Sequence, residues 1–152
     1  MHGSEKIADQ FLNLAREQKT TLTPMQLLKL VYLAHGWMLG LYGRPLIKDG
    51  IQAWQYGPVI PTLYDKIKHF RSNPVEGRLS NENFALDESE KSIVKQVYDI
   101  YGSLTGPQLS RLTHAPGTPW SNTYCPGIFG SVISNDLIAD YFKRKADNTP
   151  AG

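Results

Sequence analysis

The alternation of apolar and polar positions divides this chain into helical segments joined by turn-rich connections. Ile7, Ala8, Phe11, Leu12, Leu14 and Ala15 recur at helical spacing, with Asp9, Asn13, Arg16 and Glu17 between them, and predict an amphipathic first helix. The stretch Thr23 to Pro61 is the most distinctive. It opens with Leu27, Leu28, Leu30, Val31, Leu33, Ala34, Trp37, Met38, Leu39 and Leu41, whose side chains point all round a helix axis. A helix apolar on every side is central rather than lateral. Thr23 suits its N-cap, Pro24 its first turn and Gly43 its end. Trp37 and Trp54 are both expected in the core. Leu46-Ile47 and Ile51 to Trp54 flank Lys48-Asp49-Gly50, a hairpin signal because Asp and Gly tolerate positive φ. Phe84-Ala85-Leu86 is expected as a third strand.

Pro61 starts a helix bearing Leu63, Tyr64, Ile67 and Phe70, and the polar run from Arg71 to Asn83 predicts a mobile loop. Asp87 and Glu90 form a capping box ahead of Ile93, Val94, Val97, Ile100 and Tyr101, with Gly102 at the end. A short helix follows Thr105-Gly106-Pro107. The segment from Ala115 to Gly127 is a Pro/Gly loop, and Ser134 caps a last helix carrying Leu137, Ile138, Tyr141 and Phe142. The expected architecture is a single compact α+β domain, mainly α-helical, with about six helices and a small antiparallel β-sheet.

Composition narrows the function classes. The chain has 152 residues, 16 basic and 14 acidic, for a net charge of +2. That balance argues against nucleic acid as a directly bound partner. One cysteine, Cys125, fits a reducing cytoplasm. No signal peptide is evident at the N-terminus, and no apolar run reaches membrane-spanning length. Met1 to Ser4 are expected to be an added leader without functional weight.

The chemistry-bearing residues are sparse. His35, His69 and His114 lack a second ligand at helical spacing, so no metal and no cofactor is expected. Gly36, Gly40 and Gly43 lie in a helix, the wrong setting for a phosphate loop, and are expected to admit another backbone. Cys125 could act as a nucleophile with His35 or His114, but it has no basic neighbour to lower its pKa. His35, without a carboxylate within a helical turn, and His114, near a helix C-terminus, are expected to be structural. No catalytic residue is assigned, and the binding residues are left unassigned.

Several segments together resemble the Panacea domain of SocA-like and phage-associated GepA-like proteins. They are the helix Thr23 to Trp37, Gly43-Arg44-Pro45-Leu46, Ala53-Trp54-Gln55-Tyr56-Gly57-Pro58-Val59-Ile60-Pro61, Leu112-Thr113-His114 with Pro119-Trp120, and Ile133-Ser134-Asn135. The resemblance implies a Panacea-like domain over residues 5–146, and the polar tail over 147–152 is expected to fray. It implies an antitoxin that neutralises a cognate protein toxin by direct contact, in the cytoplasm and away from membranes. It also implies an alternative, a proteolysis adaptor that delivers a bound toxin to the ClpXP protease. An enzyme using His35, His114 or Cys125 is the remaining reading, and the family carries no catalytic residues over to this chain.

Overall fold

The computed structural model describes residues 1–82 and 85–148. Among these the chain folds as six α-helices and a three-stranded antiparallel sheet in one compact domain: α1 (Ser4–Glu17), α2 (Pro24–Tyr42), β1 (Gln52–Trp54), β2 (Gly57–Val59), α3 (Pro61–Ile67), α4 (Glu88–Tyr101), α5 (Gly106–Thr113), β3 (Ser131–Val132) and α6 (Asn135–Asn148).

The helix starts follow their local chemistry. Thr23, Asp87 and Thr105 each cap a helix in a reciprocal box with Gln26, Glu90 and Gln108, satisfying backbone N–H groups that the helix itself cannot. Ser134 Oγ accepts from Leu137 N at 3.2 Å at the start of α6. Gly43 ends α2 in the left-handed region at φ +69°.

The central helix is α2, with α1, α3, α4, α5, α6 and β2 all packed on it. Its most extensive neighbour is α6, and two glycines set the approach. A Cβ on Gly36 would lie 2.2 Å from the Phe142 ring, and one on Gly40 would lie 2.8 Å from the Phe142 carbonyl carbon. The two missing side chains therefore let α6 settle onto α2, as expected. Phe142 fills the seam edge-on to Tyr32 and Trp37, at 6.1 and 5.1 Å between ring centres.

The hairpin differs from its expected position. Strands β1 and β2 pair Gln52 with Val59 and Trp54 with Gly57, so the turn is Gln55-Tyr56. Asp49 does other work. Its carboxylate accepts from Ser4 N at 2.8 Å and from Ser4 Oγ at 2.7 Å, and also from the Thr62 hydroxyl. It thus caps α1 from across the fold, where Gly3 has no side chain to do so. His2 and Ser4 therefore make contacts within the fold. His2 forms a parallel bridge with Ile47, its imidazole lies 2.9 Å from Glu90, and Ser4 is fully buried.

The third strand is Ser131–Val132, paired with β1 in the order β2-β1-β3. Of the strand expected at 84–86, Ala85 and Leu86 are not in a strand, and Phe84 lies outside the described residues. The 71–82 segment, expected as mobile, is pinned. Val75 is buried and its N–H bonds Leu22 O, while Leu79 N and Ser80 N both donate to the Asp9 carboxylate. At the C-terminus, Asp147 and Asn148 continue α6, and residues 149–152 lie outside the described residues.

Candidate functional site

Of the residues singled out in the sequence, Trp54, His114 and Trp120 converge on the β1–β2 hairpin. Strand alternation turns Ala53 into the core and leaves Gln52 and Trp54 on the opposite face. Trp54 is therefore half-buried rather than a core residue. Its ring meets Tyr64 at 5.0 Å and Phe129 at 5.1 Å, and its indole N–H donates to Gln52 Oε1. Trp37 does pack against the core, and donates to the Tyr101 hydroxyl at 3.2 Å.

Three carbonyls of this bend are each held by a side chain from elsewhere. The Trp120 indole donates to Trp54 O at 2.5 Å, the Ser110 hydroxyl to Tyr56 O at 2.6 Å, and the Lys29 ammonium to Pro58 O at 2.7 Å. The donors come from the 115–130 loop, α5 and α2. Lys29 sits in an otherwise apolar run and is almost entirely buried, and that burial pulls its pKa from 10.5 down to about 8. Gly57, at φ +129°, leaves it room: a Cβ there would stand 3.1 Å from Nζ. No motif marks Lys29 in the sequence. The available signal was a single cation inside a helix expected to be buried on all sides.

His114 faces the same bend from behind. Its Nδ1 contacts the Ser110 carbonyl, and its ring packs edge-on to Trp120 at 5.4 Å. Trp120 in turn stacks on Tyr124 at 4.7 Å. The Thr-His and Pro-Trp segments and the Trp-x-Tyr-Gly-Pro bend are thus one assembly, and its inner side is scaffold.

His35 lies elsewhere, fully buried between α2 and α6. Its Nδ1 accepts from Leu46 N and Ile47 N, both at 3.3 Å, so Nε2 carries the proton and donates to Asn135 Oδ1 at 2.9 Å. Both ring nitrogens are engaged. Burial, the largest influence, lowers the pKa of this imidazole and keeps it neutral. Cys125 is exposed, and its thiol lies 3.9 Å from the Pro126 carbonyl. Among the described residues neither histidine bonds Cys125, so no nucleophile pair is assembled.

The outer side of the bend is apolar and open. Tyr56, Ile128, Phe129 and Val132 are all exposed, Phe129 by 78%. A surface of this kind suits contact with another protein better than it suits chemistry.

The family profile described as "Antitoxin SocA-like, Panacea domain" matches residues 27–121, more than half of the chain. That span takes in most of α2, the hairpin, α5 and Trp120. Antitoxin SocA of Caulobacter vibrioides (strain NA1000 / CB15N) is 27% identical over 151 residues, covering 90% of this chain and 80% of the relative. No solved structure matches. Among the described residues no helix is long and apolar enough to cross a membrane.

Proposed function

The chain belongs to the SocA-like, Panacea-domain antitoxin family, and from that premise we propose that it neutralises a cognate protein toxin by direct, non-covalent binding. The family match over residues 27–121 carries this reading. The side chains support it. His35 spends both nitrogens on the fold, His114 and Trp120 brace the hairpin, and Cys125 stands apart from both histidines. Activation of a nucleophile needs a base within hydrogen-bond reach, itself held by a third group, and these residues do not supply that arrangement. The chain acts as a binding protein, and its work is occlusion.

The test is a purified system. The chain and the product of its neighbouring gene are co-expressed, co-purified and assayed for toxin inhibition with no protease present. Inhibition by the co-purifying complex is the expected result. Growth rescue that disappears in cells lacking the ClpXP protease, with no inhibition in the purified mixture, would move the assignment to the adaptor. Rescue without any complex would defeat both.

A further inference from the structure

The small sheet has two edges, and they differ. The β2 edge is closed: Gly57, Pro58 and Val59 are all buried, Pro58 has no N–H, and its carbonyl is taken by Lys29. Among the described residues the β3 edge has no such cover. Val132 is paired opposite Gln52, and Ser131 opposite Ala53, while Ile133 N donates to Ile51 O at 2.8 Å. In an antiparallel ladder hydrogen-bonded and non-bonded pairs alternate. Ile133 and Ser131 therefore direct their backbone groups at β1, and Val132 between them turns its N–H and C=O outward.

The side chains around that outward pair share one face. Cross-strand partners project to the same side, so Val132 stands beside Gln52, whose amide holds the Trp54 indole. Phe129 rests on Trp54, and Ile128 precedes it in the chain. Val132 and Ile128 are 66% and 58% exposed. An open backbone donor and acceptor beside large exposed apolar side chains matches what an extended peptide requires: main-chain pairing for affinity and alternate side-chain contacts for selectivity.

Resting on the function proposed above, we propose that the partner protein docks by adding an extended segment to the β3 edge, its alternate apolar side chains seated on Trp54, Ile128, Phe129 and Val132. The family match supplies a protein as occupant, and the unpaired ladder supplies its conformation. The edge itself is short, since β3 is two residues long and offers one outward residue for pairing, so the apolar side chains beside it supply the larger part of the contact. A second copy of this chain is the competing occupant, and the oligomeric state of the free chain decides between them.

The test uses the full chain with the product of its neighbouring gene as probe. Phe129→Glu puts a charge on the apolar face at an exposed position. Val132→Pro removes the outward N–H, and Val132→Thr keeps it. Ile100→Glu, at an exposed site on α4, is the control. Binding should weaken at least 30-fold in Phe129→Glu and Val132→Pro, and stay within about threefold of the parent in Val132→Thr and Ile100→Glu. All four should melt within a few degrees of the parent. If Val132→Pro fails to fold, Phe129→Glu and amide exchange at 128–133 in the complex decide the matter. Parent-like binding by Phe129→Glu, or no added protection at Val132, overturns the edge-docking proposal and leaves direct neutralisation standing. A parent chain that never binds the probe overturns both. A concentration-dependent dimer of the free chain that Phe129→Glu abolishes assigns the face to self-association and overturns the docking proposal.

Discussion

Replacing Lys29 by Met isolates the cost of a charge inside the fold. The lysine is almost wholly buried, and its ammonium has Pro58 O as its hydrogen-bond acceptor. Its pKa falls from 10.5 to about 8 because burial removes water from the charged form. At about 1.36 kcal/mol per pKa unit, holding the charge at pH 7 costs about 3 kcal/mol relative to the unfolded chain. Met has a similar length and no charge, so it removes that cost. It also leaves the Pro58 carbonyl without its donor, a loss of about 1–3 kcal/mol. The net change at pH 7 is therefore small, and its variation with pH is the sharper observable. Between pH 8 and 10.5 the unfolded lysine binds more protons than the folded one, so the parent gains stability as pH rises. The variant lacks that gain, and other groups titrate alike in both proteins. Urea unfolding followed by tryptophan fluorescence at pH 7, 8, 9 and 10 should show the parent gaining on the variant by about 2 kcal/mol across the series. A parent–variant difference that stays flat from pH 7 to 10 would refute the buried, cost-bearing lysine.

Gly40→Ala should cost about 1–3 kcal/mol by forcing α6 off α2, since the neighbours of the new Cβ include backbone atoms, and chemical denaturation measures it. Trp37→Ala should destabilise by about 3 kcal/mol, whereas Trp54→Ala should lower the Tm less while weakening partner binding; equal losses of stability would contradict the placement of Trp54. His35→Gln should be milder than His35→Ala, and partner protection should fall in step with stability; a folded, inactive His35→Gln would revive catalysis. Because its pKa is lowered in the folded state, His35 is neutral in both states above pH 6.5, and stability should fall as the pH drops below that value toward the folded pKa. His35→Gln should flatten that acid-side decline in a pH series of melts.

The helices were legible because their signals are local. The Thr23–Gln26 and Asp87–Glu90 boxes and the all-round apolar pattern of α2 need no knowledge of distant residues. The sheet was not legible, for two reasons. Asp49-Gly50 carries the chemistry of a tight turn, yet the Asp49 carboxylate is claimed by Ser4, a partner 45 residues away. The true turn, Gln55-Tyr56, has no residue at positive φ and so lacks the usual Asn-Gly or Asp-Gly mark. Strand β3 is two residues long, too short to show any alternation. The site was half legible. The motif residues do gather around the hairpin, but of the two side chains that hold its Tyr56 and Pro58 carbonyls Ser110 has no local mark, and Lys29, though marked as the lone cation of α2, has nothing nearby in sequence to name a partner 29 residues off.

The three bonds that tie the hairpin to the 115–130 loop, α5 and α2 terminate on backbone oxygens, those of Trp54, Tyr56 and Pro58. A carbonyl is the same whatever side chain stands on its residue. The bend can therefore keep its shape while the outward side chains at 55, 56, 128 and 129 are exchanged. Shape lies in the main chain of Trp54, Tyr56 and Pro58, and under the docking proposed above specificity lies in the side chains around them. A scaffold built this way can trade one partner for another by surface substitutions, without passing through an unfolded intermediate sequence.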